Sequence, residues 1–172
     1  MSGTSLEKLE FLVIEDNPFM RSIIKSVLRA LGATVIKEAN DGSSALEVMK
    51  LSVPDIIFVD WEMQPINGLD FVKMVRRSKE SPDPFVPIIM LSGHSEHNRV
   101  LEARDAGVNE FVVKPISAEA LYKRIQEVIE VPRPFIKAGN FVGPDRRRHT
   151  LPFQGEDRRK TEPDKNSDPD DG

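Results

Sequence analysis

The chain has 172 residues, 39% of them hydrophobic and 30% charged, which is enough for one well-buried core plus an appendage but tight for two full domains. Its 24 Lys and Arg against 28 Asp and Glu leave a net charge of -4, which excludes a molecule that is basic throughout and binds nucleic acid indiscriminately. Cysteine is absent, so disulfide staples and thiolate chemistry are excluded.

Residues 1–7 are expected to be a flexible N-terminus. Met1 to Glu10 hold no positively charged start followed by an apolar run, and no apolar stretch approaches membrane-spanning length. A soluble, unprocessed chain in the cytoplasm is the expectation. Residues 8–130 then alternate short apolar runs with segments of helical period, the pattern of a parallel sheet flanked by helices. The runs are Phe11 to Ile14, Thr34 to Ile36, Ile56 to Val59, Ile88 to Leu91 and Phe111 to Val113. Four are nearly continuous in large apolar residues, as strands covered on both faces require, and the second reads as an edge. Between them, Ile23, Ile24, Val27, Leu28 and Leu31 form one helical stripe, opened by Asn17-Pro18 and closed by Gly32. Ala45, Leu46 and Met49 mark a second helix, and Leu69, Val72 and Val75 a third begun just after Gly68. Glu96 to Ala106, ended by Gly107, is a fourth; Leu121, Ile125, Val128 and Ile129, after Ser117 as cap, mark a fifth. Right-handed crossovers between five such units predict an α/β, doubly wound sheet with its site at the carboxyl ends of the strands.

Residues 131–172 change character, with Pro132, Pro134, Pro144, Pro152, Pro163 and Pro169 and few apolar residues, and are expected to be a largely irregular C-terminal tail. Its middle is a repeat of twelve-residue period: residues 141–148, Phe-Val-Gly-Pro-Asp-Arg-Arg-Arg, are echoed by residues 153–160, Phe-Gln-Gly-Glu-Asp-Arg-Arg-Lys. Residues 131–160 carry eight Lys or Arg against three acids, whereas residues 161–172 carry one Lys against five acids. Three destinations are open for the basic repeat: a protein partner held by Phe anchors with Arg rims, an anionic polymer or lipid, or the acidic domain of the same chain.

Glu15 and Asp16 follow the first strand and Asp60 follows the third, and strands one and three are neighbours in the common doubly wound order. Three carboxylates converging there would repel and raise one another's pKa values unless a cation sits among them, and Mg2+ suits oxygen ligands of this kind. Ser92 ends the fourth strand and Lys114 ends the fifth, which brings a hydroxyl and an ammonium to the same edge. Taken singly, each is an ordinary cap, turn or surface charge. Together they are what phosphoryl transfer needs, a carboxylate nucleophile with a metal and positioned donors.

These residues carry a resemblance. The acidic pair Glu15-Asp16, the run Asp60-Trp61-Glu62-Met63 leading to Gly68, Ser92-Gly93, and Phe111-Val112-Val113-Lys114-Pro115 resemble the receiver domain of response regulators, the CheY-like family of two-component systems in its single-domain form. The resemblance implies a flavodoxin-like sheet of order 2-1-3-4-5 with five helices. Asp60 would be phosphorylated by a sensor histidine kinase or a histidine phosphotransferase. Mg2+ would be held by Asp16, Asp60 and the backbone carbonyl of Glu62, with Glu15 assisting through water. Ser92 and Lys114 would contact the phosphoryl oxygens, and Lys114-Pro115 would be a cis peptide. Ser92 and Phe111 would form the switch, Phe111 lacking the hydroxyl of the tyrosine commoner there. Met63-Gln64-Pro65 departs from the family's usual Met-Pro, and Glu62 and His94 occupy positions that tune the lifetime of the phosphoryl group. Readout would be by protein contact around helix four, strand five and helix five, with Val100, Ala103, Phe111 and Ala118 on that face. The downstream protein is unspecified, no conventional DNA-binding domain is expected, and a phosphorylation-dependent dimer is one state that the resemblance allows.

Two rival readings are distinguishable. A phosphohydrolase of the haloacid-dehalogenase type wants a second aspartate two residues after the nucleophile, where Glu62 stands, and a cap domain for which there is no room. A phosphorylation-independent scaffold has no need of the acidic set. His94, His97 and His149 lack a metal-ligand spacing, and without a Gly-rich ATP loop the chain is not expected to be a kinase. It is expected to be a signalling receiver rather than an enzyme.

Overall fold

A computed structural model of the chain describes residues 3–147. The second copy of the repeat and the acidic end lie outside them. Strands β1 (Glu10–Ile14), β2 (Val35–Ala39), β3 (Ile56–Asp60), β4 (Ile88–Ser92) and β5 (Glu110–Val113) form one parallel sheet of order β2-β1-β3-β4-β5. Helices α1 (Pro18–Ala30), α2 (Gly42–Leu51), α3 (Gly68–Arg77), α4 (His97–Ala106) and α5 (Ala118–Glu130) connect and flank them. This is the doubly wound, flavodoxin-like arrangement expected from the alternation of runs.

The period-two alternation of each strand divides the core. Leu12, Ile14, Ile57, Val59, Ile88 and Met90 face α2, α3 and α4, where Met49, Phe71, Val72, Val75 and Ala103 meet them. Phe11, Val13, Phe58, Ile89 and Leu91 face α1 and α5, where Ile24, Leu28, Leu121 and Ile125 meet them. Each helix buries one stripe, whereas β1, β3 and β4 bury both faces, which is why those three read as continuous apolar runs. β2, at the edge, buries only Ala39 fully.

The local stops and starts follow the sequence. The Asn17 side chain accepts from the N–H groups of Phe19 and Met20, with Pro18 in the first turn; Asn67 and Ser117 cap α3 and α5 in the same way, and Gly107 closes α4 at φ 107°. Leu6–Lys8, which begin inside the stretch expected to be flexible, make a 3-10 turn that buries Leu6.

Within the stretch expected to be irregular, β6 (Phe135–Ala138) and β7 (Phe141–Pro144) pair as an antiparallel hairpin. Its two-residue turn is Gly139-Asn140, with Gly139 at φ 59°, the positive φ that tight hairpin turns demand at their first central position. The hairpin packs against α3 and α4 at the amino ends of β4 and β5, around Arg76. Arg76 is 2% exposed, and its guanidinium donates to the carbonyls of Gly107 (3.0 Å), Pro84 (2.8 Å) and Val86 (2.7 Å) and to Asn109 Oδ1 (3.0 Å). Phe135 covers it, with the guanidinium carbon 4.9 Å from the ring centroid. Burial pulls its pKa down to about 9, which leaves it cationic at neutral pH. A charged side chain at an otherwise apolar helix stripe gives no sign from sequence that loop carbonyls await it.

Candidate functional site

The parallel sheet delivers the ends of β1, β3, β4 and β5 to one edge. Asp60, last in β3, is 2% exposed, and Glu15, directly after β1, is 1% exposed, whereas Asp16 is open to solvent. One carboxylate oxygen from each of the three lies within 4.8 Å of those of the other two. Lys114 reaches them from the end of β5: its Nζ stands 2.9 Å from Asp60 Oδ1 and 3.6 Å from Glu15 Oε2. Those contacts are ion pairs off the hydrogen-bond direction, and Asp60 Oδ1 and Glu15 Oε2 stay buried with no hydrogen-bond partner.

Burial sets the electrostatics. It pushes the Glu15 carboxyl up to about 7, helped by the proximity of Asp60 and opposed by the Asn17 N–H and Lys114. Asp60 is also raised, by burial first, with the Lys114 ammonium working against it. Burial would pull Lys114 down, but its carboxylate neighbours outweigh that and raise it. One ammonium therefore faces two buried carboxylates and a third at the rim. Buried oxygens without donors, all of the hard carboxylate kind, fit Mg2+, which takes few protein ligands and keeps waters.

Two close approaches hold the acceptor. A Cβ on Gly68 would lie 2.2 Å from the Asp60 carbonyl oxygen and 3.0 Å from Trp61 Cα, so only glycine lets the start of α3 pass beneath the strand end. The Gly68 N–H donates to the Trp61 carbonyl at 2.9 Å, and the Trp61 N–H to the Leu91 carbonyl at 2.9 Å. Lys114–Pro115 is a cis peptide, and so is Gln64–Pro65, at the place where the loop departs from the expected Met-Pro.

Ser92 is fully buried, and its hydroxyl donates to Glu62 Oε1 at 3.0 Å while accepting from the His94 N–H at 3.1 Å. Trp61 is nearly buried between the guanidinium of Arg99, 4.7 Å above its ring, and the ring of Phe111, edge-on at 6.3 Å. Phe111 is half-buried against the core. Of the residues expected on the readout face, Val100 and Ala118 are exposed, but Ala103 is buried in the core and cannot present itself there.

Sequence reasoning passed over Arg21, Arg99 and the Glu62–Ser92 bond. Arg21 Nη1 donates to the Glu15 carbonyl at 2.7 Å and its Nε to Glu38 at 3.1 Å, fastening the loop that carries the acidic pair. Its position one turn into α1 was the only available signal.

The comparisons agree with this geometry. The family described as response regulator receiver domain matches residues 11–126. Chemotaxis protein CheY of Pseudomonas aeruginosa is 34% identical over 122 residues, covering 71% of this chain and 97% of that protein. A CheY homolog of Campylobacter jejuni is 35% identical over 122 residues, covering 70% and 92%. The solved structure of Vibrio cholerae chemotaxis protein CheY4 superposes with a TM-score of 0.64 at 29% identity, covering 70% of this chain and 98% of that one. No helix among the described residues is long and apolar enough to cross a membrane. With fold, edge cluster and relatives in accord, the chain belongs to the CheY-like response-regulator receiver family.

Proposed function

We propose that Asp60 is a phosphoacceptor, phosphorylated from the histidine of a sensor kinase or histidine phosphotransferase, and that the change is read out by protein contact in the cytoplasm. The observation that carries this is the buried Asp60 carboxylate held 2.9 Å from Lys114, with Glu15 and Asp16 beside it. An Asp60 oxygen forms the new O–P bond as the donor's N–P bond breaks, and the electron pair leaves with the imidazole nitrogen. Mg2+, when held by Asp16, Asp60 and the Glu62 backbone carbonyl with Glu15 acting through water, supplies charge neutralisation to the transferring oxygens. Lys114 keeps the buried nucleophile ionised and afterwards pairs with a phosphoryl oxygen. The Ser92 hydroxyl has one proton, now given to Glu62, and must change acceptor to reach the new anion. Phe111 then follows the space that Ser92 leaves.

The readout surface is the groove of about 340 Å³ between α4 and β5, lined by Val100, Leu101, Arg104 and Phe111. Phosphorylation-dependent pairing of two copies over that face belongs to the same reading. The dehalogenase-type alternative is disfavoured because Glu62 replaces its second aspartate and is engaged with Ser92. The protein's chemistry is then confined to its own phosphorylation and dephosphorylation.

Incubation with acetyl phosphate, followed by intact mass, tests the proposal. The expected result is a Mg2+-dependent gain of one phosphoryl group that Asp60→Asn abolishes. Absence of any gain, together with no Trp61 fluorescence response to beryllofluoride, would leave a phosphorylation-independent scaffold. So would partner binding unaltered by Asp60→Asn.

A further inference from the structure

β7 and the residues after it are the first copy of the twelve-residue repeat, and several of the contacts that shape it and hold it to the receiver are made by residues that recur. Phe141 is 7% exposed, and the Arg146 guanidinium lies 4.1 Å from its ring centroid. Arg146 Nη1 also reaches Asp105 Oδ1, on α4, at 3.5 Å. Gly143 passes so close to Gly107 that a Cβ on it would lie 2.7 Å from Gly107 Cα. Asp145 turns the end of the strand: its N–H donates to the Pro134 carbonyl at 2.8 Å, and its Oδ1 accepts from the Arg147 N–H at 3.0 Å. Phe, Gly, Asp, Arg and Arg return as Phe153, Gly155, Asp157, Arg158 and Arg159. Among residues that differ, Val142 meets the seat through its carbonyl oxygen, 2.6 Å from where a Cβ on Gly107 would stand, and that contact is indifferent to Gln154 in its place.

We propose that residues 153–160 are a second docking strand for this same seat, formed by Arg76, Asp105 and Gly107, and that they take it in exchange with residues 141–148 of the same chain. The reach is sufficient. Pairing Phe153 opposite Ala138 replaces the two-residue turn by the 14 residues 139–152, and loop closure alone disfavours that by about 20-fold. Glu156, where Pro144 is now buried opposite Phe135, adds to the preference for the first copy. The first strand is thus the resting occupant. When a partner captures Phe141 to Arg148, the second strand covers the end of α4 in its place. The tail can then hand one Phe-Gly-Asp-Arg-Arg strand to a partner while the other keeps the seat filled.

The absence of native cysteine makes site-specific cross-linking clean. In the full chain, Asp105→Cys is combined with Arg146→Cys, with Arg158→Cys or, as a reach control, with Asp164→Cys, and treated with a short bis-maleimide. Products are resolved by mass after proteolysis. The 105–146 link is expected to dominate in the otherwise native chain. Adding Gly143→Val, or separately Phe141→Ala, is expected to raise the 105–158 link at least fivefold within single chains, and Gly155→Val to cancel that rise. A 105–158 link that never exceeds the 105–164 control, that is indifferent to Gly155→Val, or that forms only between chains would overturn the proposal.

Discussion

Ser92 is a residue with one proton and two claimants. In the proposed mechanism Glu62 competes with the phosphoryl group for it, and a hydrogen bond to a charged acceptor is worth about 1.5 kcal/mol or more. Glu62→Ala should therefore speed phosphorylation by acetyl phosphate by about tenfold, followed by Trp61 fluorescence. In a Ser92→Ala background the gain should shrink; an undiminished gain would mean that the loss of negative charge alone explains it. Glu15 gives a pH prediction. Its pKa rises from an ordinary 4.5 to about 7 in the folded chain, so the folded state binds the proton more tightly than the unfolded one. Its contribution to stability is full below about pH 4.5 and is lost as pH rises through 7. Asp60 shares that direction. Without divalent cation the pair should lower the thermal midpoint between pH 5 and pH 8, and Mg2+ should restore most at pH 8. At 100 times its Kd the ion adds about 2.7 kcal/mol, about 5–10 °C for a chain of this size. An equal Mg2+ effect at both pH values would separate the ion from these carboxylates. Asp60, Ser92 and Lys114 were legible in sequence because each ends an apolar run, and a parallel sheet brings such ends together. The Ser92–Glu62 bond was not, because it depends on two side-chain rotamers across different loops.

At the scale of elements, helices were legible from caps and stripes, and the least patterned part of the chain concealed the most. α4 buries only Ala103 and Ala106 from its own length, too little to hold it by apolar contact alone. Its carboxyl end is secured by Arg76 and the hairpin instead. A pattern of prolines and arginines reads as irregular because the hairpin's apolar partners, Phe135 and Phe141, are few and its hydrogen-bonding partners are backbone carbonyls. Arg76→Met should cost about 3 kcal/mol, since it strands the buried carbonyls of Gly107 and Val86 and removes the support under Phe135. Urea unfolding measures the loss, and hydrogen exchange should show it first at the amides of β6 and β7. A loss below about 0.5 kcal/mol, the range of ordinary surface changes, would mean that water serves those carbonyls as well.

For the whole molecule, the relatives match over 92–97% of their own length with about 122 residues, so everything after α5 is an addition to a unit that they possess without it. Removal of residues 132–172 should leave a folded chain that still takes up one phosphoryl group, with a thermal midpoint lowered by a few degrees, about 1–2 kcal/mol. Collapse of the fold on truncation would show that the addition has become part of the core. Charge marks the same boundary in the sequence: a basic stretch follows an acidic domain and precedes an acidic end. The contact between Gly107 and Gly143 carries a mechanical consequence. α4 begins beside Ser92 and Glu62 and ends where two backbones touch with no side chain between them. A side chain on either glycine would wedge that joint apart. If Ser92 moves as proposed, Gly107 would be the held end of α4, and the largest travel would fall on its first turn, where His97 and Arg99 stand.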